Sequence, residues 1–571
     1  MKLNARLQHL FVATLGAIFL FASISSLADG RIAVRGKNGI VASSSAIASE
    51  VGVQVMKDGG NVVDAAIATA FAMAVTWPSA GNIGGGGFMI YHGADGETAA
   101  FDFREKAPLA ATADMYLDDE GNIRDNSNHD GLLAVGVPGT VAGLALAHER
   151  YGSKPWKDLV APAVRLARDG IPVSWALYDD FSQLMPQFEK YPGTKKAFSR
   201  PDDSLYEPGD LWVQRDLADT LRRIQKDGHD GFYKGKTAKL IADFMAANGG
   251  IITLEDLAAY QAVEREPIRG DYRGYEIVSM PPPSSGGVVL VEMLNILEGY
   301  DLKTIGHNSA LYLHLLTESM RRAYADRANY LGDPDFNENM PIDRLTSKEH
   351  AANLRGSISL TEKSLSDPAL FAEAYESDQT THFSVADGDG NMVSLTYTLE
   401  YGYGSRIVVD GAGFLLNNEM GDFNAQPGVT DERGRIGTEA NIVRPQQRML
   451  SSMTPTVIAK DGVPLFATGT PGGKTIINTT MQTILNVVDH GMTIAEAIEA
   501  PRIHHQWLPD RTLVERNGIS PDTRGLYEAF GHEIREVGAI GSAMGVYRDP
   551  ETGVLHGASD TRAEDGGTAA Y

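Results

Sequence analysis

Two threonine hydroxyls, those of Thr380 and Thr398, stand at opposite ends of a segment whose pattern predicts a β-hairpin. A hydroxyl that acts as a nucleophile needs a base beside it, because it is weakly nucleophilic at neutral pH. Residues 381–386 are strand-like, residues 387–391 are dense in turn residues, and residues 392–399 alternate between apolar and polar side chains. The chemistry depends on whether this hairpin brings the two hydroxyls together.

The turn sets which residues of the hairpin face each other. With a two-residue loop at 389–390, Thr380 is expected to oppose Leu399, and Thr381 is expected to oppose Thr398. A slip of one residue still leaves the hydroxyl of Thr398 close to that of Thr380. On the pattern alone, the favoured interpretation is an ordinary hairpin in which threonine is chosen for its β-propensity.

A glycine turn at residues 469–475, between a strand-like and a helical segment, is similar to a phosphate-binding loop. A Walker A motif needs four residues between its first glycine and Gly-Lys-Thr, and here there are three. Pro471 also removes one backbone donor. Nucleotide binding is therefore not predicted, although backbone N–H groups at Gly472 and Gly473, ahead of a helix, can stabilise negative charge.

Helical and strand-like segments alternate along the chain. These elements must position the two threonines and the glycine turn. Residues 44–75 are predicted to be helical with a break at two glycines, and the glycine run 84–87 leads into a strand. Residues 138–330 are interpreted mostly as helices, the clearest of which begins near Asn308. The polar residues 355–379 are typical of an exposed stretch.

The composition limits the classes of protein to consider. With 571 residues, of which 43% are hydrophobic and 22% charged, the chain is typical of a globular protein with more than one core unit or one large layered core. The formal net charge of -24 disfavours nucleic acids and anionic membranes as partners. The sequence has no cysteine, which excludes disulfide bonds and a lipoprotein anchor.

Residues 1–28 are predicted to be a signal peptide. Two basic residues precede an apolar core at 10–22 that is too short for a membrane span, and Ser26 and Ala28 are small residues ahead of the expected cut. An uncleaved membrane anchor is the alternative. We therefore expect a secreted protein, periplasmic or extracellular, that leaves the membrane once the signal is removed.

Several separate motifs of the chain resemble those of the γ-glutamyltranspeptidases (γ-glutamyltransferase / glutathione hydrolase). The similarity extends from residue 33 to residue 571, and unlinked motifs in one order are far more specific than any single pattern. The motifs are residues 379–387 with 389–391, 102–105, 281–287, 325–327, 331–334, 416–418, 450–453 and 471–473.

This resemblance implies an α+β fold, the four-layered αββα sandwich of the N-terminal nucleophile hydrolases. It also implies a precursor that cleaves itself between Gln379 and Thr380. The products would be a large subunit, residues 29–379, and a small subunit, residues 380–571, which pair as a heterodimer.

Cleavage would give Thr380 the base that its hydroxyl needs. The amide nitrogen becomes an α-amino group whose pKa lies near neutrality, and this amine can take the hydroxyl proton directly or through water. The resemblance implies that Thr398 hydrogen-bonds the nucleophile and that Gly472 and Gly473 form the oxyanion hole. The same hydroxyl is expected to attack the carbonyl of Gln379 during processing.

A γ-glutamyl substrate carries an α-carboxylate, which an arginine fork and hydroxyls bind, and an α-ammonium, which carboxylates bind. The resemblance assigns the carboxylate to Arg104, Ser451 and Ser452, and the ammonium to Glu419 and Asp422. Taken singly, each of these residues is better explained as part of a surface ion pair, a turn or a solvated loop charge. Their joint occurrence in the family motifs favours the substrate site.

The sequence departs from the family pattern at a few of these positions. Glu400 stands where some members have Asn and others Glu, so a part in the ammonium site is implied. Position 419 varies between Gln and Glu, and Met449 replaces a common Pro. Residues 427–437 are long enough to form a lid, with Arg433 where some members have an aromatic gate.

The implied function is transfer of the γ-glutamyl group of glutathione or other γ-glutamyl amides, through an ester on Thr380, to water or to amino acids and peptides. One alternative is a glutaryl (cephalosporin-type) amide acylase on the same scaffold, which the acidic residues disfavour. Another is an inactive secreted binding protein, which the intact motif set disfavours. No metal or organic cofactor is implied, since His504 and His505 are adjacent and not at a ligand spacing.

Overall fold

Two seven-stranded β-sheets stack face to face at the centre of the protein. The architecture comes from a computed structural model, which describes residues 32–366, 380–429 and 438–571. Helices cover the outer surface of each sheet, so the layers follow the order helix, sheet, sheet, helix. The predicted α+β fold, a four-layered αββα sandwich, is confirmed. The expected signal peptide, residues 1–28, lies outside the described residues.

The elements are numbered in order along the described residues. The strands are β1 (Val34–Gly36), β2 (Gly39–Ser43), β3 (Gly86–His92), β4 (Thr98–Asp102), β5 (Ile171–Pro172), β6 (Leu211–Trp212), β7 (Val263–Arg265), β8 (Ile268–Tyr272), β9 (Tyr275–Ser279), β10 (Thr381–Asp387), β11 (Met392–Thr398), β12 (Thr456–Lys460), β13 (Val463–Gly469), β14 (Ile503–His504), β15 (Thr512–Glu515), β16 (Ile534–Val537), β17 (Met544–Arg548), β18 (Leu555–Ser559) and β19 (Gly567–Ala570). The α-helices are α1 (Ala46–Lys57), α2 (Val62–Thr76), α3 (Thr140–Tyr151), α4 (Trp156–Asp169), α5 (Trp175–Phe188), α6 (Pro192–Phe198), α7 (Arg215–Asp227), α8 (Asp230–Tyr233), α9 (Gly235–Asn248), α10 (Leu254–Ala259), α11 (Gly286–Leu297), α12 (Leu302–Ile305), α13 (Ala310–Tyr330), α14 (Ile342–Leu345), α15 (Lys348–Gly356), α16 (Thr475–Val488), α17 (Ile494–Glu499) and α18 (Pro521–Ala529).

The predicted hairpin, β10 and β11, lies at the centre of one sheet, which we call the hairpin sheet. Its strand order is β19-β2-β10-β11-β3-β4-β7, and the second sheet has the order β1-β18-β17-β13-β12-β9-β8. Neighbouring strands within both sheets are antiparallel. The remaining strands form two small sheets, β14-β15-β16 and β5-β6.

Alternation along the strands divides the interior into layers, because successive side chains of a strand point to opposite faces. In β3, Phe88 and Ile90 belong to the core between the two sheets, whereas Met89 packs among the helices outside the hairpin sheet. A third core lies between the second sheet and helices such as α11, α13 and α16. Both faces of the central strands are thereby removed from water, whereas the edge strands β1, β7, β8 and β19 stay partly exposed.

The predicted helical segment 44–75 forms two helices, as the two glycines suggested. Ser45 caps α1, and Asn61 caps α2 in a reciprocal capping box with Asp64. The helix predicted to begin near Asn308 is α13, which Ser309 caps. These caps satisfy backbone N–H groups that the first turn of a helix leaves without partners.

The register predicted for the hairpin is wrong by one residue. Thr381 pairs with Tyr397, so the next pair outward is Thr380 and Thr398. The reason is the side chain of Asp387, whose Oδ1 accepts hydrogen bonds from the backbone nitrogens of Gly390 (3.0 Å) and Asn391 (2.9 Å). These side-chain bonds across the turn favour a three-residue loop, 388–390, over the expected two-residue loop. The two threonines are thereby directly opposite each other.

Candidate active site

Thr380 and Thr398 lie on the face of the hairpin that looks toward the second sheet. The apolar residues of the hairpin, including Phe383 and Leu395, point the other way into the helical layer. Even-numbered positions of β10 and β11 therefore supply a polar layer between the sheets. Thr380 is 7% exposed and Thr398 is 2% exposed, so the hydroxyls are held in a largely water-free setting.

Backbone contacts fix Thr398 in place. The side chain of Asn82 donates a hydrogen bond of 2.8 Å to the carbonyl oxygen of Thr398. The backbone nitrogen of Glu400 donates one of 2.8 Å to Oγ1 of Thr398. A hydroxyl that accepts this bond can still donate its own proton to a neighbour. A Cβ at Gly85 would lie 2.0 Å from the carbonyl oxygen of Thr398, which explains why position 85 is glycine.

The predicted site residues converge on one cavity from separate parts of the chain. Among those predicted from the sequence, only Gly472 and Gln379 are not in its lining, and Gln379 lies outside the described residues. The lining consists of Arg104, Thr380, Thr398, Glu400, Glu419, Asp422, Ser451, Ser452, Met453, Gly473 and Ile476.

Arg104 is the only arginine in this lining, and carboxylates surround it. Its two terminal nitrogens contact Glu419 and Asp422, which sit on a 3₁₀ turn, and Glu105 lies 3.7 Å from Nη1. Arg104 also donates to the carbonyl oxygen of Met449 at 3.3 Å. The guanidinium is 1% exposed, so these acids replace the water that would otherwise solvate its charge.

Burial raises the pKa of two of these acids. The pKa of Glu105 and that of Glu419 both lie above the usual range because the side chains are removed from water, although Arg104 opposes the shift. Burial acts to lower the pKa of Arg104, but Glu419, Asp422 and Glu105 together outweigh it and raise that pKa. The cluster therefore surrounds one fixed positive charge with several acids, two of which hold a proton more readily than usual.

Glu400 joins this cluster from the end of the hairpin. It adopts a φ of +78°, a conformation that non-glycine residues rarely take and that often marks functional sites. Nδ1 of His129 lies 2.9 Å from Oε1 of Glu400, and the His129 ring stacks on Tyr401. The sequence carried no signal for His129, because a lone histidine has no motif.

Ser451 and Ser452 are held by the loop at 281–287 and by α13. Ser285 donates to the carbonyl oxygen of Ser451 from both its nitrogen (2.8 Å) and its hydroxyl (2.7 Å). Arg327 donates to the hydroxyls of Ser285 (2.8 Å) and Ser452 (3.1 Å). Arg327 belongs to the motif at 325–327, to which the sequence assigned no role, so the motif was visible but its purpose was not.

Gly472 and Gly473 form the turn between β13 and α16. Their φ values are +134° and +54°, and a Cβ at Gly472 would lie 2.3 Å from Oγ1 of Thr475. The carbonyl oxygen of Gly472 accepts bonds from the nitrogen and hydroxyl of Thr475. The turn therefore requires glycine, and it places Gly473 against the cavity ahead of α16.

Other sequence predictions have different outcomes. Of the expected lid at 427–437, only residues 427–429 are described, and Arg433 lies outside the described residues. His504 and His505 are both buried, and their rings contact Asn478 and Asp510 respectively. Burial lowers the pKa of both histidines.

The polar layer beneath the two threonines predicts an acid-sensitive step in stability. His382 is fully buried, its ring nitrogens lie 2.8 Å from Oγ1 of Thr396 and 2.9 Å from Oγ of Ser384, and burial lowers its pKa to about 3. The neutral ring is favoured in the fold, so its stabilising contribution is present above the ordinary pKa of 6.5 and is lost as the pH falls toward 3. Between pH 6.5 and pH 3 the wild type should therefore lose more free energy of unfolding than His382→Gln, by about 3–5 kcal/mol. Denaturant titrations at several pH values measure the free energy of unfolding of each protein.

His229, which is only partly buried, provides the control for this experiment. His229→Gln should retain the acid-sensitive step that His382 produces. Parallel profiles for His382→Gln and the wild type would contradict the prediction.

Comparisons with known proteins identify the family. The model of the gamma-glutamyltranspeptidase family matches residues 48–570. The chain belongs to the γ-glutamyltranspeptidase family. The resemblance stated from the motifs is thus confirmed for almost the whole chain.

Among its relatives, a glutathione hydrolase proenzyme of Escherichia coli (strain K12) is 49% identical over 94% of this chain and 93% of its own length. An acylase ACY 1 proenzyme of Pseudomonas sp. (strain SE83) is 37% identical, covering 93% of both chains. A cephalosporin acylase structure from Bacillus halodurans superposes with a TM-score of 0.84 at 30% identity, covering 95% of this chain and 97% of that one. A Helicobacter pylori gamma-glutamyltranspeptidase structure superposes with a TM-score of 0.55 at 47% identity, covering 56% of this chain and 91% of that one.

Among the described residues, none of the helices combines the length and the apolar character that a membrane crossing requires.

Proposed function

We propose that this member of the γ-glutamyltranspeptidase family transfers the γ-glutamyl group of glutathione and related amides through an ester on Thr380. The observation that carries the proposal is the convergence of a paired-threonine hairpin, a glycine turn and an arginine–carboxylate cluster on one cavity. The acceptors are water and the amino groups of amino acids or peptides.

The reaction follows from the groups around Thr380. After cleavage, the α-amine of Thr380 takes the proton of its own hydroxyl, and the oxygen attacks the γ-carbonyl carbon. Backbone N–H groups of Gly472 and Gly473 stabilise the oxyanion, and the leaving amine carries away the proton. Thr398 donates to the nucleophile oxygen. Attack by water or an acceptor amine on the ester releases the γ-glutamyl group and restores the hydroxyl.

The charges around Arg104 select the substrate. In the absence of substrate, the guanidinium and the carboxylates of Glu419 and Asp422 compensate each other. An α-amino acid group supplies one charge for each side, because its carboxylate pairs with Arg104 while its ammonium pairs with the acids. The substrate therefore brings one partner for each side of the internal contacts that it replaces.

A glutaryl amide is the alternative substrate that the shared acylase scaffold raises. It brings a carboxylate for Arg104 but no ammonium, so binding would leave Glu419 and Asp422 buried without a counter-ion. Glu400 adds to this penalty from the same cavity. We therefore propose γ-glutamyl and not glutaryl compounds as donors.

Chromogenic anilides test this choice. We expect the purified protein to cleave the γ-glutamyl anilide at least about 100-fold more efficiently than the glutaryl anilide, because a site built for a polar group rejects the analogue that lacks it. A dipeptide added to the assay separates transfer from hydrolysis. A preference for the glutaryl anilide would overturn the donor assignment, and cleavage of neither would overturn the enzyme assignment.

The cleavage proposed between Gln379 and Thr380 divides strands that are interleaved in space. Residues 380–571 supply β10 and β11, which lie between β2 and β3 of residues 29–379. The second sheet is mixed in the same way, with β1, β9 and β8 from the larger product and the four strands between them from the smaller one. Separation would expose unpaired strand edges in both sheets.

We therefore expect the two products to remain a heterodimer. The processed protein should elute as one species of about the precursor size in native gel filtration, and as two species in denaturant. Separate elution without denaturant would contradict the proposed pairing. The predicted signal peptide at residues 1–28 supports the proposal that this pair acts outside the cytoplasm, after export.

A further inference from the structure

We propose that a divalent transition-metal ion binds between Glu292, Asp326 and His350, and that this ion is Zn²⁺. These residues come from three helices, α11, α13 and α15, that pack outside the second sheet. One ligand atom from each lies within 4.8 Å of the others. The sequence predicted no metal, because residues from three separate helices form no short motif.

Glu292 supplies the observation that points to a ligand. Its carboxylate is 0% exposed, and neither oxygen has a hydrogen-bond partner among the described residues. Its neighbours are the carboxylate of Asp326 and, at 3.8 Å, Nε2 of His350. Two buried carboxylates at this separation repel each other unless a proton or a cation lies between them.

The spacing of the three atoms suits a tetrahedral ion. Nε2 of His350 lies 2.7 Å from Oδ2 of Asp326 and 3.8 Å from Oε1 of Glu292. Bonds of about 2.1 Å give a tetrahedron with edges of about 3.4 Å, which falls between these two distances. One imidazole and two carboxylates favour Zn²⁺ or Mn²⁺ over Ca²⁺, which takes six to eight oxygen ligands.

An ion can reach this site from solvent. The side chains of Asp326 and His350 are 12% and 14% exposed, whereas Glu292 forms the closed end. Water can complete the coordination on the open side. Arg344 is the nearby positive charge that acts on Glu292, and it is outnumbered by the two carboxylates.

A second cluster of similar composition shows what makes the first distinctive. His314, Glu318 and His532 are also mutually close, but the carboxylate of Glu318 already accepts bonds from Arg321 (3.1 Å) and Arg322 (2.7 Å). Two guanidinium groups oppose a cation there. Among the described residues, no guanidinium donates a hydrogen bond to Glu292, and Arg344 acts on it only through space, so this cluster is the one that we assign to the ion.

The location of the site indicates a structural role for the ion. Asp326 immediately precedes Arg327, which donates to the hydroxyl of Ser452 in the candidate active site. An ion held by Asp326 would tie the end of α13 to α11 and α15. The mature two-chain enzyme is then stabilised by the ion, and the wall behind the paired serines is fixed in position.

Stoichiometry and affinity test the proposal on the full protein with any affinity tag removed. After dialysis against a chelator, we expect ZnSO₄ titrated against a chromophoric chelator to bind at one ion per chain. Glu292→Gln and His350→Gln should each lose at least about 100-fold in affinity, since each removes a direct ligand. The control His229→Gln removes a partly buried histidine outside both clusters and should bind as the wild type does.

Each outcome decides the matter. Wild-type protein without one tight site, or Glu292→Gln with unchanged affinity, overturns the proposal. Loss of the ion in His532→Gln but not in Glu292→Gln would place it in the second cluster and also overturn it. If Glu292→Gln does not fold, His350→Gln decides instead, together with the wild-type Co²⁺ spectrum, whose visible absorption should indicate tetrahedral coordination and disappear in that variant.

Discussion

Thr380→Ala should remain a single chain and lose γ-glutamyl anilide cleavage by at least about 10³-fold, because one hydroxyl is proposed for both reactions. Without Oγ1 there is no nucleophile for the carbonyl of Gln379, so no α-amine forms at position 380. Thr380→Ser retains a hydroxyl and should do both, more slowly. A denaturing gel measures the cleavage, and the anilide assay measures the activity.

Thr381→Ala is the matched control for this variant. Thr381 is the next residue along the chain, and its hydroxyl lies on the other face of the strand, 3.1 Å from Oγ of Ser44. This variant should be cleaved and active. Two fragments from Thr380→Ala, with other proteases excluded, would show that cleavage does not use this hydroxyl and would remove the central element of the proposed mechanism.

Much of the hairpin could be predicted from the sequence, because its physical cause is local. Alternation of apolar and polar residues predicted both strands and their two faces, and β10 and β11 have nearly the expected bounds. The register could not be predicted, because the sequence does not show whether the turn has two or three residues. The hydrogen bonds that Asp387 accepts from Gly390 and Asn391 decide for three. The correction strengthens the site, since it makes Thr380 and Thr398 direct partners.

The site itself could be predicted only in part. The motifs named most residues of the cavity, but the contacts between Arg104 and two acids more than three hundred positions away depend on tertiary packing. His129 and Arg327 support site residues from distant segments and were not predicted to do so. Nothing in local pattern or propensity reports such contacts, because they form only when the layers assemble.

Arg104→Met should lower kcat/KM for the γ-glutamyl anilide by at least about 100-fold and also destabilise the fold. Loss of one partner from a buried, hydrogen-bonded charge pair costs about 2–5 kcal/mol in binding. The same change leaves Glu419 and Asp422 without the guanidinium that both contact. Breaking a buried pair in this way destabilises a fold by about 3–5 kcal/mol. Arg104→Lys keeps the charge but not the fork, so it should be intermediate.

Arg502 offers a control of equal burial away from the cavity. It is 2% exposed and pairs with Asp560 at 2.6 Å. Arg502→Met should lower the free energy of unfolding by a similar amount and leave KM for the anilide unchanged. If both variants raised KM equally, the effect of Arg104 would come from general destabilisation and not from recognition of the substrate carboxylate.

The pH dependence separates the two effects of Arg104→Met further. Burial already raises the pKa of Glu105 and Glu419 in the wild type, where Arg104 opposes the shift. Without Arg104, these acids should bind protons at still higher pH, so their pKa rises further above the unfolded value. A raised pKa contributes stability at low pH that is lost as the pH rises. The stability deficit of Arg104→Met should therefore shrink on acidification, whereas its catalytic deficit should persist, because a protonated acid removes the repulsion but supplies no group to hold the substrate carboxylate.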